Sequence, residues 1–298
     1  MHLGINTPAL TLFPGAFSAW EETAGIDDIA QIAVVADRLG YNHLTCSEHI
    51  AVPTEIAASR GGTYWDPLAT FGYLAALTTR VKLLTQVLVL GYHHPLEIAK
   101  RYGTLDMVSR GRLVLGLGVG SLREEFELLG VPFEDRGIRA DDALGALRAS
   151  LSGPHPTYRG THYEFSELVV RPHAVQNRVP LWIGGRTRRS LRRAIEHGDG
   201  WVPFGLTHQE VAAMLATVVL PRDFAIALTL ESRIDPIADR TGTARALDKV
   251  TKTGATVAGA SIHARDVGHY CEQLESLREI AVSEGYALPV NIDPVTAQ

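Results

Sequence analysis

Four short stretches hold residue types whose spacing could do chemistry. Ser47-Glu48-His49 sets a carboxylate beside an imidazole. An imidazole gives or takes a proton near neutral pH and a neighbouring carboxylate tunes it, so Glu48 and His49 read as an acid–base pair or as a polar surface turn. Thr85-Gln86 interrupts the apolar run Val81–Leu90. One polar side chain satisfies itself inside a sheet, but two in succession point to opposite faces, which fits a bulge or an irregular peptide. Gly116, Gly118 and Gly120 alternate in GLGVGS, which ends at Val119, Gly120 and Ser121. Glycines there let backbone N–H groups approach a ring or a phosphate, or let a strand pack closely on a helix. The spacing departs from the G-x-G-x-x-G dinucleotide pattern, and no acidic residue takes the ribose role.

The fourth stretch is Gly184-Gly185-Arg186-Thr187-Arg188-Arg189-Ser190-Leu191-Arg192-Arg193. Two glycines and a threonine open a helix, where free N–H groups and the helix dipole favour an anion. Five arginines fall within eight residues, and the i,i+4 pairs Arg188/Arg192 and Arg189/Arg193 repel one another unless an anion joins them. A solvated basic face is the other reading. Metal chemistry is not expected. The twelve histidines are scattered, and no His-x-x-x-His or Cys-x-x-Cys occurs.

Placing these groups requires the elements around them. Short apolar runs alternate with segments of helical period: strands at 2–7, 42–47, 81–90, 113–120, 180–185, 200–204, 224–230 and, weakest, 255–260. The helices between them include 26–40, 66–79 behind an Asp66-Pro67 start, 95–109, 139–151, 187–197, 241–253 and 267–284. A small β excursion is predicted over 158–170. Eight strand–helix units favour a (β/α)8 TIM barrel in one domain over residues 1–298, with a small β insertion after the fourth unit. The candidate stretches then fall at strand C-termini, where barrels of this kind carry their active sites. The last eight or so residues are expected to trail on the surface.

Length and composition agree. The 298 residues are 46% hydrophobic and 20% charged, an ordinary globular balance. Twenty-eight basic against 33 acidic residues give a net charge of −5, which argues against a nucleic-acid partner. Two cysteines, Cys46 and Cys271, fit a reduced cytoplasmic location rather than a disulfide framework. No signal peptide and no membrane-spanning run are visible.

Taken together, GINTP, SEH, LLTQVLVLGYHHPLEIAK, LDMVSRGRLVLGLGVGSLREEFELLGVPFEDRG and VPLWIGGRTRRSLRRAIEHGDGW resemble the bacterial luciferase-like superfamily. Within it they are most similar to the coenzyme F420-dependent oxidoreductases. The resemblance runs from about residue 2 to residue 205 and more loosely beyond. It implies a barrel, usually a homodimer, that binds a flavin or deazaflavin at its C-terminal mouth and acts on a small organic substrate.

Residue by residue, the resemblance implies a non-prolyl cis peptide at Thr85–Gln86 against the back of the ring. It implies that Gly118, Val119, Gly120 and Ser121 run along ring and tail. Gly184, Gly185, Arg186 and Thr187 hold the phosphate, with Arg188 beside them, and Glu48-His49 faces the reacting carbon. The sugar-phosphate-oxidising branch carries Glu where Ser121 stands and Trp near Pro53, and both are absent here. Trp65 is a candidate aromatic wall. The expected activity is hydride transfer with F420. FMN-dependent monooxygenation with O2 and a non-catalytic cofactor-binding role are the alternatives.

Overall fold

The structure, a computed structural model, describes residues 1–289. The expected trailing C-terminal residues lie outside the described residues. Among the described residues eleven strands form: β1 His2–Ile5, β2 His43–Cys46, β3 Lys82–Thr85, β4 Leu88–Val89, β5 Leu113–Gly118, β6 Tyr158–Arg159, β7 Glu164–Phe165, β8 Leu181–Gly184, β9 Gly200–Val202, β10 Ala225–Thr229 and β11 Val257–Ala260. Eight of them close a parallel ring in the order β1-β2-β3-β5-β8-β9-β10-β11, with β11 returning to β1 and helices between the strands. This is the (β/α)8 barrel that the alternation predicts. Short β4 extends the arm of β3 and pairs with β5 outside the ring. The predicted insertion is the antiparallel pair β6–β7, with Tyr158 opposite Phe165.

Local signals explain the helix ends. Asp66 accepts from the Ala69 N–H at 2.7 Å with Pro67 in the first turn, and Thr187 accepts from Ser190 at 3.2 Å. The 26–39 helix stops at Gly40, whose φ of 82° is the left-handed cap. Ile29, Ile32, Ala33 and Ala36 face the core, as their period predicts.

Strand faces divide the apolar residues into two layers. Leu3, Ile5, Leu44, Leu83, Leu115, Ile183 and Ile226 point outward under the helices. Leu84, Val114, Trp182, Val202, Ala227 and Val257 fill a separate cluster. His43 packs edge-on against Trp182 at 6.3 Å. Burial, with Lys82 nearby, lowers the His43 imidazole to about 3, so it is neutral there.

The SRGR segment, part of the resemblance, is structural. Arg112 donates to the carbonyls of Ala75, Thr78 and Val81 and to the Thr78 hydroxyl at 2.8–3.0 Å. It thereby caps the 67–77 helix and fixes it to the start of β3. Fully buried Asp106 accepts from the N–H groups of Val175 and Gln176 at 2.9 and 3.0 Å. These contacts lock the barrel floor under the mouth.

Candidate active site

The expected cis bond is one residue out of place. The non-prolyl cis peptide is Gln86–Val87 rather than Thr85–Gln86. Thr85 is still a ladder residue: it pairs with Cys46, and its buried hydroxyl donates to the Gly116 carbonyl at 2.8 Å. The chain departs from the ladder only after it. Gln86 still donates to the Cys46 carbonyl at 2.7 Å, and its own carbonyl accepts from the Ser47 hydroxyl at 2.8 Å. Val87 is thereby set between β5 and β8. A Cβ at Gly118 or Gly184 would lie 2.7 or 2.9 Å from the Val87 methyls, so both glycines are spaces for that side chain.

Above Val87 lies a cavity of about 640 Å³ at the C-terminal mouth. Of the residues that the resemblance places at the cofactor and the reacting carbon, all line it except Thr85 and Arg188. Thr85 is sealed in the wall. Arg188 starts the 188–197 helix on its outer side, against Leu191, Thr217 and Val218. Trp65 packs on the core, and its neighbour Tyr64 lines the cavity instead.

Glu48 and His49 are adjacent in sequence but are not partners. Buried Glu48 accepts from the Val89 N–H at 2.7 Å and pairs with His93 Nε2 at 2.7 Å. Burial lowers the His93 imidazole, but the Glu48 bond and charge outweigh it, so the net shift is upward. Side chains of successive residues diverge at the strand end, and this turns Glu48 toward the 90–93 turn. His49 Nδ1 instead lies 2.7 Å from Glu125 Oε2.

Glu125 is the partner of His49 that the sequence alone does not reveal. It sits on the short 123–128 helix and is fully buried. Besides His49 it accepts from the Tyr92 hydroxyl at 2.5 Å and from the Ile50 and Ala51 N–H groups at 2.5 and 3.1 Å. Burial raises its carboxyl, but the bonds from His49, Tyr92 and the two N–H groups outweigh it and hold the value below the ordinary range. Burial, and then the Glu125 carboxylate, push the Tyr92 hydroxyl far up, so it stays a donor. An ionised Glu125 accepts only, so His49 must present N–H at Nδ1. Its Nε2 is then the nitrogen left for proton exchange. The ring rests edge-on against Tyr64 at 4.5 Å. A sequence signal existed: Glu125 lies between Leu122 and Phe126, which are both buried. Among acidic neighbours, however, it looks like a surface residue.

The other wall is cationic. Arg60, Arg136, Arg186, Arg189 and Arg193 line the cavity, and Glu48 is the carboxylate on its surface among the described residues. Arg193 is buried and paired with Asp141, which Arg189 also approaches at 3.8 Å. For the Arg189/Arg193 pair the joining anion is therefore Asp141, supplied by the 136–150 helix. Arg60 instead donates to Ser121 Oγ at 3.2 Å. Arg136 donates to the Gly120 carbonyl at 3.1 Å and stacks on Phe133. Arg186 has no ion pair among the described residues. Three guanidinium groups thus face the cavity with neutral partners or none. Gly185, at φ 148°, turns the chain between β8 and Thr187, and a Cβ there would meet Ser190 Cβ at 2.4 Å.

The profile of the luciferase-like monooxygenases matches residues 7–219. An uncharacterized protein of Mycobacterium tuberculosis is 29% identical over 206 residues, covering 65% of this chain and 71% of its own. The F420-dependent glucose-6-phosphate dehydrogenase of Microbacterium testaceum is 28% identical over 190 residues, covering 62% of this chain and 55% of its own. Among solved structures, the monooxygenase RslO1 from Streptomyces bottropensis superposes with a TM-score of 0.73 at 21% identity, over 95% of this chain and 99% of that one. At that identity the likeness concerns the fold.

Proposed function

Because the chain belongs to the luciferase-like monooxygenase family, we propose that it is an oxidoreductase using coenzyme F420 to exchange a hydride with a small organic substrate. The observation that carries this reading is the cavity's charge. Three guanidinium groups without a carboxylate partner, Arg60, Arg136 and Arg186, share a wall with paired Arg189 and Arg193. This exceeds what one phosphate requires and suits a phosphodiester followed by carboxylates. The glycine-flanked Val87 and the 118–121 backbone offer a flat, close approach for a ring system. When bound, the deazaflavin supplies or accepts the hydride.

The chain's own part is threefold. Val87 and the glycines beside it orient a planar group. The 184–187 turn and the arginines bind the anionic end. His49 holds or takes a proton at Nε2, in the tautomer that Glu125 sets, next to the reacting carbon of the substrate. Glu48, occupied by Val89 and His93, positions the turn and leaves proton transfer to His49. The same reading takes the protein as a cytoplasmic homodimer with both cysteines as thiols. A monooxygenase using reduced FMN and O2 is the second reading, favoured by the family's own description.

Titrating the purified protein with F420 and with FMN separates them. Saturable quenching of F420 fluorescence, with FMN at least tenfold weaker, is expected. Tight FMN binding without an F420 response overturns the proposal.

A further inference from the structure

Orphaned donors converge beside the cavity. Among the described residues, Tyr270 Oη, Arg233 Nε and Trp20 Nε1 are buried with no acceptor of the protein in reach. Buried polar groups are almost always paired, so three orphans in one place call for an explanation. They are neighbours. The Trp20 and Tyr270 rings meet edge-on at 6.1 Å, and Tyr270 feels the charges of Glu21 and Arg233. Tyr270 and Arg233 line a recess of about 230 Å³. It shares Ser47, Gln86, Thr11 and Phe13 with the large cavity, so the two spaces adjoin across the Gln86 wall.

The recess also states what charge it accepts. Arg233 Nη2 donates to Glu21 Oε1 at 2.8 Å, to Ser18 Oγ at 2.9 Å and to the Ile262 carbonyl at 2.6 Å. Its positive charge is therefore already neutralised, and Glu21 lies on the same wall. A carboxylate or phosphate entering here would be repelled by Glu21, whereas a neutral oxygen carries no charge for Glu21 to repel and can accept from the orphaned donors. Leu10, Phe13 and Ile262 add apolar surface. We propose that this recess is a subsite for a neutral, carbonyl-bearing organic molecule, whose oxygen accepts from Tyr270 and Arg233 and whose hydrocarbon body rests on the apolar side chains. That it is the substrate side of the enzyme rests on the cofactor reading above; the binding itself does not.

The test uses the cofactor-free full-length protein and saturation-transfer NMR with cyclohexanone and with cyclohexanecarboxylate. Cyclohexanone is expected to bind saturably in the recess, while any carboxylate held by the arginine wall of the adjoining cavity is expected to be insensitive to changes at Tyr270 and Arg233. Tyr270→Phe removes one donor, and Arg233→Lys keeps a cation for Glu21 while removing Nε–H. Each is expected to weaken cyclohexanone about three- to tenfold, the worth of one neutral hydrogen bond. Tyr270→Phe should also leave the melting temperature unchanged or raised, because a partnerless hydroxyl is lost. Three results would each overturn the proposal: carboxylate binding that the two variants weaken as much as they weaken cyclohexanone binding, unchanged cyclohexanone affinity in both variants, or a lowered melting temperature in Tyr270→Phe. Failure here leaves F420 binding untouched. Failure of F420 binding with cyclohexanone retained removes only the assignment to the substrate side.

Discussion

Glu125→Gln is the perturbation that isolates the His49 arrangement, because it preserves shape and removes only charge and one acceptor. Four donors converge on the carboxylate: His49 Nδ1, the Tyr92 hydroxyl and the Ile50 and Ala51 N–H groups. A carboxamide oxygen serves about two of them, and its NH2 faces the rest. A buried donor left unpaired costs about 1–3 kcal/mol, so two cost about 2–6 kcal/mol. The lower end applies where the Tyr92 hydroxyl rotates to accept from the new amide.

The pH dependence carries a sign. Glu125 is depressed in the folded state, so its contribution is fully present above the ordinary carboxylate value and is lost as pH falls through the lower folded value. The stability gap between wild type and variant should therefore be constant from pH 7 to about 5 and close at more acidic pH. Urea denaturation across that range measures it. In activity, the amide can donate to Nδ1 and move the imidazole proton to Nε2, which removes the base. A kcat loss of about 10²–10⁴ is expected, the usual worth of a positioned acid–base group, with cofactor Kd within twofold. The reasoning fails if kcat changes by less than threefold, or if the stability gap widens toward acid.

Three further outcomes follow from placement. Arg186→Ala should raise the cofactor Kd, more so at low salt, whereas Arg188→Ala, outside the cavity, should leave it within twofold; equal effects in a fluorescence titration would refute the assignment of the wall. Gly185→Val should lose about 1–3 kcal/mol or more of stability in a urea melt, through overpacking against Ser190 at a positive φ, rather than merely blocking the anion. His93 is raised in the fold, so its pairing with Glu48 contributes fully below the ordinary imidazole value and is lost as pH rises through the higher folded value. The melting-temperature difference between wild type and His93→Gln should shrink above neutral pH, and a difference independent of pH from 6 to 9 would contradict the pairing.

The sequence by itself determined the barrel, its insertion and the end of the barrel at which the cavity opens. Each of these is written in local periodicity: apolar runs, caps such as Asp66-Pro67, and glycines at strand ends. It also named most of the cavity wall, because a strand's C-terminal residues reach the mouth whatever the rest of the chain does. Which groups meet there was decided by the tertiary structure. Glu48 and His49 are neighbours in the chain, yet the first serves His93 and the second is held by Glu125, 76 residues away. Asp141 neutralises Arg193 from another helix, and Tyr270 comes to the mouth from the last helix described. Pairings at such separations arise from the ring closing β11 onto β1 and stacking its helices, and no spacing along the chain encodes them. Even the cis bond followed this rule: its position was set by how far the β2–β3 ladder holds Thr85, which is a property of the neighbouring strand.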